Sequence, residues 1–300
     1  MKRLKGVITA MVTPFKDNGE INYKALENLV DFYLEKGVDA LFPLGTTGEM
    51  FKLTLNERKK IAETIVNKVN KRIPIFIHVG SFNMDEVVEL SKHAEKIGAT
   101  GIAAVTPVYF GTSNEAIKGY YKKISESVST DFPIYLYNIP QMSNNNLDAK
   151  TAEYIFKKYP NILGVKYSYS DLFLTYEYLL ISKDFSVLQG TDRCFLPALQ
   201  IGCDGTVSGV SSVYPEPFVN VYKAYKDGNK EKAEFYQRMA NDYVTTLGAG
   251  ANMAIFKSAL KYRGFEIGSV REPQLALTQD EEKVLFEKLH ELDSKYKEFF

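Results

Sequence analysis

The 300 residues predict a (β/α)₈ TIM barrel with a C-terminal helical extension, and three observations predict it. Short β-branched apolar runs alternate with longer amphipathic stretches eight times in succession. The strand runs are apolar almost throughout, the pattern of a parallel sheet covered by helices. No GxGxxG opens the first helix and no Walker A loop is present, so closure into a barrel is favoured over an open doubly wound sheet.

Strands are predicted at Gly6–Val12, Ala40–Pro43, Pro74–Val79, Gly101–Val105, Ile134–Tyr137, Ile162–Lys166, Ser186–Gln189 and Gly205–Ser208. Helices are predicted near 22–36, 54–69, 83–97, 113–128, 148–159, 171–182, 194–201 and 215–226. In the first helix Leu26, Leu29, Val30, Tyr33 and Leu34 recur at helical spacing on one face, with Asn28, Asp31 and Glu35 opposite. Asn144–Asn146 reads as a short polar turn. After residue 226 the strand pattern stops. Residues 1–226 are therefore assigned to the barrel, and 227–300 to a helical subdomain with helices near 229–245, 249–263 and 279–297. Gly248 and Gly250 read as a helix boundary.

Composition narrows the functions. Acidic and basic residues balance at 37 each, which gives no sign of nucleic-acid or membrane binding. No stretch is long and apolar enough to span a membrane, and the opening MKRLKG does not lead into a signal peptide. The two cysteines, Cys194 and Cys203, form no CxxC and read as thiols of a reducing cytoplasm. Among His78, His93 and His290 no pair stands at ligand spacing, so no metal is expected.

In a barrel, chemistry sits at the C-terminal ends of the strands. The unusual residues of this chain gather there. Gly45-Thr46-Thr47-Gly48-Glu49 follows the second strand, Thr106-Pro107-Val108-Tyr109 the fourth and Tyr137-Asn138-Ile139-Pro140 the fifth. Lys166 ends the sixth strand, Gly190-Thr191-Asp192 follows the seventh and Ser208-Gly209 the eighth. A lysine at a strand end ordinarily snorkels to water, and with 20 tyrosines in the chain any one of them ordinarily packs. Asp192 could simply cap the next helix. Their shared rim is what makes a site. An apolar setting, expected from Leu163 and Val165, would keep Lys166 as the free amine that attacks a carbonyl. Tyr137, one strand away, would shuttle the proton, and Thr46 and Thr47 would offer hydroxyls and backbone N–H groups to a carboxylate.

These motifs, in this order and spacing, resemble the dihydrodipicolinate synthase / N-acetylneuraminate lyase superfamily of class I, pyruvate-handling aldolases. Thr13-Pro14-Phe15, Gly164-Val165-Lys166 and Gly202-Cys203-Asp204-Gly205 add to the likeness, which runs from about residue 5 to the C-terminus. The resemblance implies Lys166 as Schiff-base residue and Tyr137 as proton shuttle. It implies Thr46 and Thr47 at the pyruvyl carboxylate, and a hydroxyl relay of Thr47, Tyr137 and Tyr109, the last reaching in from a neighbouring subunit. A homotetramer built as a dimer of dimers, a small 2-keto acid substrate and no cofactor are implied with it.

Departures from the pattern direct the choice of member. The dihydrodipicolinate synthases carry an arginine two residues after the YNxP proline, where this chain has Met142. The sialic acid lyases carry Ser at Thr46 and Asp-Glu at Asp192-Arg193. A 2-keto-3-deoxygluconate-type aldolase tolerates both features, with Ser168, Gly190, Asp192 and Ser208 expected on the substrate side. N-acetylneuraminate lyase and synthase-type condensation remain the alternatives.

Overall fold

The computed structural model describes residues 3–250 and 252–299. Eight parallel strands are followed in turn by helices. They are β1 Gly6–Ala10, β2 Ala40–Phe42, β3 Phe76–His78, β4 Gly101–Val105, β5 Ile134–Asn138, β6 Ile162–Tyr167, β7 Ser186–Gln189 and β8 Gly205–Ser208. Helices α1 Tyr23–Glu35, α2 Leu55–Val69, α3 Met84–Lys96 and α4 Asn114–Glu126 come first. A four-residue helix α5 Pro140–Ser143 precedes α6 Ala149–Lys158, α7 Leu172–Leu179, α8 Phe195–Ile201 and α9 Pro215–Lys226. The C-terminal helices are α10 Lys230–Thr246, α11 Met253–Tyr262 and α12 Gln279–Lys295. The expected (β/α)₈ barrel with added helices is thus the observed fold.

Local chemistry sets the ends of these elements. Thr54 and Glu57 form a reciprocal capping box at the start of α2, and Thr278 and Glu281 form another at α12. Asn252 caps α11 through Ala254 N–H, so that helix starts at Met253, four residues later than predicted, after a 3₁₀ turn over Gly248–Gly250. Ala251, within the predicted helix, lies outside the described residues. The turn at Asn144–Asn146 is more than a solvated connector: Asn145 is buried and its amide donates to Pro107 O and Phe110 O, 2.8 Å each.

The hydrogen-bonded order is β2-β1-β8-β7-β6-β5-β4-β3. Between β2 and β3 the ring closes through one isolated bridge, Leu41 to Ile75, with Leu41 N–H on Pro74 O and His78 N–H on Pro43 O. One layer of core lies between strands and helices and a second fills the barrel interior, with Ile8, Phe42, Phe76, Tyr135, Tyr137, Leu163 and Leu188 among its members.

Strand β6 breaks the alternation. Ile134 pairs with Ile162, but the next residue, Tyr135, pairs with Gly164, so Leu163 is an extra residue in the ladder. Ile162 faces the helices and Leu163 faces the interior. Strict alternation would then turn Lys166 outward. The bulge shifts the phase, so that Val165 packs against the helices while Lys166 pairs with Tyr137 and Leu188, both interior residues. The expectation that Val165 shields the lysine is therefore corrected: it lies on the other face. At the bulge a Cβ on Gly164 would stand 1.9 Å from Ser186 O, a backbone atom with no freedom to retreat. Gly164→Ala should accordingly cost about 2 kcal/mol or more of stability. Urea denaturation checks this, and an unchanged midpoint would contradict it.

Candidate active site

Lys166 is buried, with its ammonium 4.1 Å from the ring centres of both Phe42 and Tyr137. Desolvation lowers its pKa from the usual lysine value, while the nearby Tyr137 and Asp192 pull the other way. It is the only lysine within the described strands, and it lines a cavity of about 440 Å³ together with Thr46, Thr47, Tyr137, Ser168, Gly190, Asp192 and Arg193.

The loop after β2 is bent sharply. Leu44 leaves the strand at φ 64° and Glu49 closes the loop at φ 56°, conformations that cost a non-glycine residue about 1–2 kcal/mol each. Within the loop Gly48 N–H and Met50 N–H bond Gly45 O, and Glu49 N–H bonds Thr46 O. Thr13 Oγ1 donates to Gly48 O at 2.8 Å. The N–H groups of Thr46 and Thr47 donate to no described residue. Two unspent donors and two hydroxyls suit a carboxylate.

Two supports hold this loop, and neither was read from the sequence as a site feature. The first is His78, fully buried at the end of β3. Val105 N–H donates to its Nε2 at 3.2 Å, so the proton sits on Nδ1, which donates to Leu44 O at 3.1 Å. Burial holds the imidazole neutral, aided by the charges of Arg58 and Lys166. The second is an ion cluster. Lys257 on α11 lies 2.7 Å from Glu49 Oε1, with the two side chains 1% and 2% exposed, and Lys52 lies 2.9 Å from Oε2. Burial lowers the Lys257 ammonium to about 8, against the pull of Glu49. A lysine among Met253, Phe256 and Leu260, on the buried face of an apolar helix, was the signal available in the sequence.

The other predicted residues fall into three groups. Ser168 and Gly190 sit against one another beside Lys166: a Cβ on Gly190 would stand 1.9 Å from Ser168 Oγ. Asp192 turns away from helix capping and accepts from Val210 N–H at 3.1 Å through Oδ2, while Oδ1 is buried without a hydrogen-bond partner. Burial pushes its carboxyl up to about 6, opposed by Ser208, Val210 and Lys166. Ser208 is not among the residues that line the cavity; it is fully buried, helps hold the Asp192 charge, and accepts from Ser211 N–H at 2.9 Å. Its position corrects the expected substrate contact to a support for Asp192.

Of the expected hydroxyl relay the chain brings only one pair together. Thr46 Oγ1, rather than Thr47, reaches Tyr137 OH, at 3.5 Å. Tyr109 is 71% exposed at φ 75°, its ring edge-on to Phe110 and outside its own cavity. Met142 is exposed between this cavity and a neighbouring one of about 350 Å³ lined by Met50, Val108 and Met253. Among the described residues no three His, Cys, Asp or Glu side chains gather as metal ligands, and no helix is long and apolar enough to cross a membrane.

A closed parallel barrel with a desolvated lysine at its C-terminal rim, a phenol beside it and a donor-lined loop near it defines the class, a carbon–carbon lyase. The chain belongs to the dihydrodipicolinate synthetase family, whose model matches residues 3–292. The 4-hydroxy-tetrahydrodipicolinate synthase of Methanocaldococcus jannaschii is 33% identical, covering 96% of this chain and 98% of that one. The 4-hydroxy-tetrahydrodipicolinate synthase 1 of Halalkalibacterium halodurans is 37% identical, over 93% of this chain and 94% of its own. Among solved structures, YagE of E. coli K12, a prophage protein of the dihydrodipicolinic acid synthase family in complex with pyruvate, has a TM-score of 0.91. It is 29% identical, with 97% of this chain and 99% of that one covered.

The ion cluster gives a test. Lys257→Met leaves Glu49 buried beside Lys52 alone and should cost about 3 kcal/mol. Adding Glu49→Gln should restore part of that loss, a coupling of at least about 1 kcal/mol in a double-mutant cycle. Additive losses in denaturant titrations would remove the pair as the loop's support.

Proposed function

We propose that the protein is a Schiff-base aldolase that cleaves a 2-keto-3-deoxy sugar acid to pyruvate and an aldehyde, a reaction reversible in principle. The observation that carries this reading is Lys166: buried, deprived of water and packed between Phe42 and Tyr137. As the free amine its Nζ adds to C2 of the keto acid, and loss of water leaves an iminium. The iminium draws in the C3–C4 bonding pair as Tyr137 takes the proton of the C4 hydroxyl, and the aldehyde departs. Protonation at C3 and addition of water at C2 return pyruvate and free Lys166. Thr46 and Thr47 hold the C1 carboxylate with their unspent N–H groups, and Asp192 with its free Oδ1 meets a substrate hydroxyl beside Ser168 and Gly190.

The pyruvate complex of YagE supports the keto-acid half of this assignment. The second reading, condensation of pyruvate with an aldehyde, is favoured by the names of the synthase relatives. Against the synthase substrate stands Met142, apolar where the family resemblance implies an arginine in the synthases. Tyr109 complements the relay from a second copy of the chain, in a homotetramer whose first interface includes the exposed rings of Phe51, Phe82 and Phe110.

Pyruvate with borohydride should add one reduced pyruvyl group to the intact mass, and Lys166→Ala should abolish it; an adduct that survives the substitution would refute the assignment. Cleavage of 2-keto-3-deoxy sugar acids should exceed condensation with aspartate semialdehyde, and the reverse ranking would favour the synthase. The kcat/KM profile should fall as pH drops through about 6, where Asp192 takes up its proton and loses its capacity to accept from substrate hydroxyls. Asp192→Asn should remove that acid limb, and its persistence would assign the limb to another group.

A further inference from the structure

The cavity around Lys166 carries three charged side chains: Lys166 itself, Asp192 and Arg193. The first two are buried. Arg193 is exposed at the rim, directly after Asp192, on the 3₁₀ turn that follows β7. One of its terminal nitrogens donates to Thr245 Oγ1 of α10 at 3.0 Å, and that hydroxyl in turn donates to Asn241 O of its own helix at 2.8 Å. The tether is therefore neutral, and among the described residues no carboxylate pairs with the guanidinium. A guanidinium has five N–H donors in a planar fork, and most of this fork is unspent.

Its place relative to the rest of the site gives it a use. The loop after β2, with the free N–H groups of Thr46 and Thr47, and the loop after β7 lie across the barrel mouth from one another, separated in the ring by β1 and β8 on one side. Both line the cavity that contains Lys166. A keto acid with its C1 carboxylate on Thr46 and Thr47 and its C2 at Lys166 would direct its far end toward Asp192 and then Arg193. The side chain two residues after Pro140 is Met142, so the loop after β5 supplies no cation to that end of the cavity.

We propose that Arg193 binds a second anionic group, a carboxylate or a phosphate, at the distal end of the substrate, which makes the preferred substrate a keto acid with two acidic ends. The proposal rests on the reading of Lys166 as the residue that meets the keto carbon. It refines the substrate class, because a neutral sugar tail would leave the charge of the fork unmatched.

The test separates the two ideas. Calorimetry compares 2-oxoadipate with 2-oxohexanoate, keto acids of equal length with and without a distal carboxylate. The wild type should bind the diacid about tenfold more tightly, the size expected for one charge-assisted contact at a rim. Arg193→Gln should erase the difference and leave the monoacid unchanged. In turnover with pyruvate, glyceraldehyde 3-phosphate and succinic semialdehyde should each exceed glyceraldehyde in kcat/KM, the larger gain naming phosphate or carboxylate. Arg193→Gln should remove that gain through the KM of the aldehyde, with the borohydride adduct at Lys166 intact. Equal affinity for the two keto acids in the wild type, or discrimination that survives Arg193→Gln, would overturn the proposal. A missing pyruvate adduct alongside discrimination lost in Arg193→Gln would instead refute the aldolase reading and leave the anion site standing.

Discussion

The extra residue at Leu163 is the constraint on which the site depends. A parallel strand presents alternate side chains to its two faces, and a regular β6 would send Lys166 into the helical layer. One unpaired residue reverses the phase for the rest of the strand. Lys166 then shares a level with Tyr137 and Leu188, inside a closed ring that already holds Phe42 and Tyr135. The lysine loses water because the rings of Phe42 and Tyr137 pack against its ammonium. Gly164, which admits the Ser186 carbonyl, is what lets the neighbouring strand stay in register at the bulge.

Much of this was legible in the sequence. Eight apolar runs at the right intervals gave the barrel, and three strands, Gly101–Val105, Ser186–Gln189 and Gly205–Ser208, have the predicted ends. The rim positions of Lys166, Tyr137, Thr46, Thr47, Gly190 and Asp192 followed from strand ends, that of Ser168 from the family resemblance, and all of them line one cavity. The bulge was not legible, because Ile162-Leu163-Gly164-Val165 is apolar or small at every position and alternation leaves no mark on such a run. That is why Val165 was given the wrong face. Ser208 was misplaced for a related reason: a strand-end hydroxyl can point at ligand or at its neighbour's carboxylate, and only packing decides. The bond between Lys257 and Glu49 joins residues 208 positions apart, beyond any local pattern.

Charge in the site is set by burial and by neighbours. His78 is fully buried and stays neutral, so it adds no cation near Lys166. Asp192 is buried with one oxygen satisfied and one free, and its raised proton affinity reflects that incomplete solvation. The Glu49 carboxylate faces Lys257 and Lys52. The C-terminal helices thus take part in the site twice: α11 steadies the loop after β2 from behind, and α10 tethers Arg193 at the rim.

The uneven ring also orders events in time. β3 through β7 are neighbours in both sequence and space, so each can pair with its predecessor as the ribosome releases it. β1 pairs with β2 on one side and with β8 on the other, where Gly6 meets Gly205, and β2 alone reaches β3, through the Leu41–Ile75 bridge. The second edge of β1 must therefore wait for the last strand to be made, and stays open in the interval. A long-range closure of this kind is slow and leaves a nascent chain exposed to wrong pairings. The part of the molecule made earliest becomes the final piece of the barrel, and a chain halted before β8 has a site lysine but no enclosure around it.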